Sequence, residues 1–109
     1  MFKRIIPEAE LIHIVNGSLL REVLAKGKVT KPVVKRMISY YRVAEDYKVD
    51  CIFDVCSSVG EVADIAREII NIPIVKIDEK MAEEALSRSK VIGVVATLKT
   101  TLDPTCRLL

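Results

Sequence analysis

The stretch from Asp50 to Glu61 reads Asp-Cys-Ile-Phe-Asp-Val-Cys-Ser-Ser-Val-Gly-Glu, so an apolar run ends in a thiol and two hydroxyls, Cys56, Ser57 and Ser58. Helical spacing begins directly after them, which puts the thiol at a helix N-terminus. The first N–H groups of a helix have no intrahelical partner, and its dipole adds partial positive charge there. An anion is stabilised at such a position, and a cysteine pKa can fall well below its free value. That anion is a thiolate, a carboxylate or both. A thiol activated in this way is expected to alkylate faster at neutral pH than the other two cysteines, Cys51 and Cys106. A second hydroxyl-rich stretch, Thr97-Leu98-Lys99-Thr100-Thr101, lies about forty residues on.

Both stretches need elements that bring them together. Apolar runs predict strands over residues 11–15, 51–55, 74–77 and 91–96. Between them, helices are expected over 18–26, capped by Ser18 and stopped at Gly27, and from Thr30-Lys31-Pro32 to near Lys48. The second of these repeats Val34, Met37, Ile38, Tyr41 and Ala44 at the spacing of one buried face. Further helices are expected over 59–70 and 79–88, and Thr101-Leu102-Asp103-Pro104 reads as another helix start, with Pro104 in its first turn. Ser58 followed by Glu61 matches a capping box. The strands are continuous apolar runs, as expected when helices cover both faces of a parallel sheet. The predicted fold class is α/β, a parallel sheet of about four strands flanked by helices. Right-handed crossovers would place both hydroxyl-rich stretches at the C-terminal edge, where such sheets bind ligands.

Other polar residues have simpler readings. Asp54 lies two residues before Cys56 and shares its face on a strand; its charge would raise the thiol pKa, and hydrogen bonding to nearby hydroxyls or a basic side chain accounts for it more simply. Asp78 reads as the N-cap of the helix after it, Glu83 and Glu84 as a solvated face, and His13 as a structural residue in the first strand. Lys99 could attract an acidic substrate or face solvent.

The chain has 109 residues, 17 basic and 15 acidic side chains and a net charge of +2, with no run of like charge. That balance argues for one domain and against nucleic acid as a partner, since such binding needs a clustered basic face. No apolar stretch reaches the length that spans a bilayer, and no signal core follows Met1, so the expected location is cytoplasmic. Three cysteines and one histidine fit neither a disulfide framework nor a zinc set, so no metal site is expected.

Three motifs resemble the aspartate/glutamate/hydantoin racemase superfamily. They are Phe53-Asp54-Val55-Cys56-Ser57-Ser58, the run from Ile72-Pro73-Ile74 through Asp78-Glu79-Lys80-Met81 to Ala85, and Ile92-Gly93-Val94-Val95-Ala96-Thr97-Leu98-Lys99-Thr100-Thr101-Leu102-Asp103-Pro104-Thr105. The resemblance is specific from Asp50 onward, extends back to Leu11, and does not include the residues before it. It implies one α/β lobe of a two-lobed, cofactor-independent isomerase acting on aspartate, glutamate, hydantoins or related acids. It also implies that Cys56 is one of two catalytic thiols working as an acid/base pair. Ser57, Ser58, Thr97, Thr100 and Thr101 would hold the substrate carboxylate. The second thiol would come from a second lobe, since Cys106 does not match it. The chain is therefore expected to be a lobe trimmed at both ends, and to self-associate as a homo-oligomer over an uncovered apolar face. The other reading is a non-catalytic or inert single lobe that binds small carboxylates at its helix N-termini.

Overall fold

Local capping signals set the helices in the first half of the chain. The computed structural model describes residues 2–109. A short helix, α1 (Phe2–Ile5), precedes a segment without regular structure. In α2 (Gly17–Lys26) the N-cap is Asn16 rather than Ser18: the Asn16 Oδ1 accepts from the Ser18 amide at 2.9 Å. Asparagine caps as well as serine does, and here it occupies the turn that Ser18 has already left. The helix stops at Gly27, whose φ of 69° lies in the left-handed region that glycine enters without a Cβ clash. α3 (Lys31–Asp46) is capped by the Thr30 hydroxyl, which accepts from the Val33 amide, and carries Pro32 in its first turn. It buries Val33, Met37 and Tyr41 at four-residue spacing, while Val34 and Ile38 pack beside that stripe half-buried.

The second half holds β1 (Ile52–Asp54), a 3₁₀ turn over Ser57–Val59, α4 (Glu61–Ala66), β2 (Ile74–Lys76), α5 (Glu79–Arg88) and α6 (Lys99–Leu108). β1 and β2 run parallel, with Ile52 opposite Ile74 and Asp54 opposite Lys76. The fold is thus α/β, a parallel two-stranded sheet flanked by helices.

The expected four strands reduce to these two among the described residues. Residues 11–15 and 91–96 form no strand, and Val15, Val91 and Val95 are almost fully exposed. Strand formation reflects pairing and burial more than backbone preference, and neither segment has a ladder or a covered face. His13 accordingly lies exposed in an irregular segment.

The expected helix over 59–70 shortens to the 3₁₀ turn and α4, because the capping box does not form: Ser58 turns to Thr100, and Glu61 pairs with Arg107. α6 begins at Lys99, two residues before the expected start, so Pro104 lies within it instead of in its first turn. The core joins Val23 of α2 and the buried stripe of α3 to Val59, Val62, Ala63, Ala66, Ile70 and Ile74. The two alanines leave α4 a low profile against α3, on which it packs.

Candidate active site

β1 delivers the chain to Cys56, and a buried carboxylate fixes the bend. Asp54 Oδ2 accepts from the Tyr41 hydroxyl at 2.7 Å, and Oδ1 accepts from the Cys56 amide at 3.1 Å. The loop is thereby anchored to α3. Burial and the neighbouring Asp54 charge push the Tyr41 hydroxyl well above its usual pKa, so it remains a donor.

Cys56 is half-buried and packs against the core, and its carbonyl accepts from the Val59 amide at 3.0 Å. Burial pushes its thiol above the ordinary value, the Ser58 and Val59 amides pull it down, and the Asp54 charge raises it again. The net direction is upward, opposite to the expected activation. The element after Cys56 is a three-residue turn, so there is no aligned helix dipole at the sulfur to offset desolvation.

The two hydroxyl-rich stretches do meet. Ser58 Oγ, buried, lies 3.1 Å from Thr100 Oγ1 across 42 residues of sequence. Thr101 instead donates to the Leu98 carbonyl at 2.7 Å and belongs to the start of α6, while Thr97 is exposed. Ser57 is half-buried against a small cavity beside β2. A larger groove, about 560 Å³, opens over the Ser58–Thr100 pair between the end of α2 and α6, with Lys28 and Lys99 on its walls. Cys56 lines neither. Cys51 and Cys106 are exposed free thiols.

Sequence reasoning missed the charged residues around Ser57. Lys76 is buried in β2 and donates to Asp64 Oδ1 and Oδ2 at 2.9 and 3.0 Å; its signal was a lysine interrupting an apolar strand. Arg67 grips Glu79 with two bonds of 2.7 and 2.8 Å and also donates to the Ile74 carbonyl. That grip, with help from the Lys76 amide and charge, lowers Glu79 to about 2. Asp78 stands at the N-cap position of α5, but its side chain makes no capping bond and the residue is buried. Among the described residues no group of three or more His, Cys, Asp and Glu side chains is placed to hold a metal ion.

A family model, Asp/Glu/Hydantoin racemase, matches residues 2–108. The chain belongs to the Asp/Glu/Hydantoin racemase family. The match starts at residue 2, so residues 2–10, which the motifs had left out, are part of it. No curated protein and no solved structure matches the chain. In this racemase-family chain the Cys56 turn and the start of α6 are joined through Ser58 and Thr100. No helix among the described residues is long and apolar enough to cross a membrane.

Proposed function

We propose that this chain is a cofactor-independent isomerase of aspartate, glutamate, hydantoins or related carboxylates, with Cys56 as one of two thiol acid/base groups. The Ser58–Thr100 contact is the observation that carries the reading, because it ties the cysteine turn to the threonine-rich start of α6. Membership of a racemase family supports isomerase chemistry.

In this reading the hydroxyls of Ser57, Ser58, Thr97, Thr100 and Thr101 hold the substrate carboxylate, and a base on one face of Cα removes its proton. The raised pKa keeps Cys56 as a thiol near neutrality, so it donates a proton to the other face and becomes the thiolate. In the reverse direction that thiolate is the base. The opposing thiol comes from a second lobe or a second copy of the chain, which makes a homo-oligomer part of the proposal. Three free thiols accord with a reducing, cytoplasmic setting.

One observation favours a different reading, a lobe that binds small carboxylates without turning them over: Cys56 lines neither cavity. Deuterium incorporation at Cα, followed by proton NMR in heavy water with a panel of amino acids and hydantoins, separates the two. Exchange is expected with the native chain and not with Cys56→Ser. Absence of exchange across the whole panel would rule out the isomerase reading and leave the binding lobe.

A further inference from the structure

Residues 91–96 read Val-Ile-Gly-Val-Val-Ala, with no charge and no proline. The chain is extended on either side of them: Ser89 has φ −151° and ψ 149°, and Leu98 has φ −123° and ψ 134°. Exposure alternates with the period of a strand, so that Val91, Gly93 and Val95 face outward while Ile92, Val94 and Ala96 are half-buried. Val91 is 90% exposed and Val95 98%. Within the described residues no backbone N–H or C=O of this segment is hydrogen-bonded. It has the shape of a strand and lacks only a neighbour. The other irregular apolar run differs, since Ile12, His13, Ile14 and Val15 are exposed in succession and present no single face.

A segment already extended loses little chain entropy on pairing, while it gains a hydrogen-bonded ladder and cover for two valines. Its half-buried inner row backs it on its own molecule, so two such segments would not form an isolated ribbon, which is marginal in water. Natural proteins blunt an open edge of this kind with charge or proline, and neither is present here. Surface for an interface is available. The accessible area is 8120 Å², against about 6,000 Å² for a folded chain of this mass, and the difference exceeds the roughly 800 Å² that each partner of a stable dimer covers.

We propose that two copies of the chain associate through residues 91–96, paired antiparallel about a two-fold axis at Gly93. In that register Val91 lies opposite the partner's Val95 and Val95 opposite the partner's Val91, both on the outward face, while Ile92 lies opposite the partner's Val94 on the inner one. Cross-strand pairs of β-branched residues are the contacts that stabilise a sheet. Gly93 meets its own counterpart on the axis, where the space around it is open. No other register sets both outward valines against valines. A slip of one residue turns the outward row of one copy to the inner side of the other, and a slip of three brings Lys90 opposite the partner's Lys99. The occupant is a second copy because the contact is self-complementary, and the segment offers no charge that would select a different partner. This inference is independent of the racemase reading.

The test is sedimentation velocity of the full chain across a range of concentrations, comparing the native protein with Val95→Lys and Val15→Lys. Both valines are at least nine-tenths exposed, so neither change removes a core contact. The native chain is expected to dimerise. Val95→Lys breaks both outward valine pairs and should weaken the dimer about tenfold or more, and Val15→Lys should leave it unchanged. A native monomer throughout, a dimer indifferent to Val95→Lys, or a dimer lost with Val15→Lys would each overturn the proposal, the last by moving the contact to residues 11–15. Should Val95→Lys fail to fold, Gly93→Cys with Cys51 and Cys106 replaced by serine decides. Residues directly opposite on antiparallel strands are close enough for a disulfide, so oxidation with diamide is expected to give a covalent dimer through residue 93. Absence of that product where the native chain is dimeric would equally overturn the proposal.

Discussion

At Cys56 two backbone amides and a carboxylate act on one sulfur in opposite senses, and burial outweighs the amides. The thiol is therefore the favoured form near neutrality. With iodoacetamide at neutral pH, the exposed Cys51 and Cys106 should be alkylated before Cys56, as a time course read by peptide mass spectrometry would show. Earlier modification of Cys56 would mean that its thiolate is stabilised after all. Asp54 has the more structural part, since its two oxygens join Tyr41 of α3 to the Cys56 amide. Tyr41→Phe removes one donor and leaves a buried carboxylate oxygen unsatisfied, at a cost of about 1–3 kcal/mol. Urea denaturation should show that loss; an unchanged midpoint would mean that water replaces the hydroxyl.

Among the elements, α4, β2 and the start of α5 are joined by a network of ion pairs as well as by the apolar core. Arg67, just past α4, reaches both the Ile74 carbonyl of β2 and the Glu79 carboxylate that opens α5. Glu79 lies at about 2 in the folded protein against an ordinary 4.5, so its contribution to stability is complete above 4.5 and disappears as pH falls toward 2. Glu79→Gln should melt below the native protein at neutral pH, and the gap in Tm should close as pH is lowered through that interval. A gap that stays constant down to acid pH would show that the pair contributes through packing alone.

The whole molecule carries more surface than its size calls for. Its accessible area is 8120 Å², whereas a folded chain of this mass exposes about 6,000 Å². The radius of gyration is 14.7 Å, against about 13 Å for a compact domain of this length. The exposed apolar side chains include Val15, Val91 and Val95 in the irregular segments and Val55, Val75 and Ile77 in and just beyond the strands. The excess exceeds the roughly 800 Å² per partner of an ordinary interface. Self-association should therefore appear in sedimentation velocity at micromolar concentration. A monomer across a hundredfold range of concentration would remove that part of the proposal.

Features that act within a few residues were legible in the amino-acid order: the Gly27 stop, the Thr30 cap with Pro32, the span of α5 and the two central strands. The stop, the cap and the helix span depend on local contacts along one segment, which composition and spacing record, whereas the two strands showed only as apolar runs and exist because they pair with each other. The motifs around Cys56 likewise sufficed to find the family. Tertiary structure decided the rest. It chose Asn16 over Ser18 as a cap, drew Ser58 away from Glu61 to Thr100, left Asp78 facing a cavity, and raised the pKa of a thiol whose sequence context suggested the opposite. It also left residues 11–15 and 91–96 unpaired, because a strand exists only against a neighbour and no neighbour is written into the segment itself.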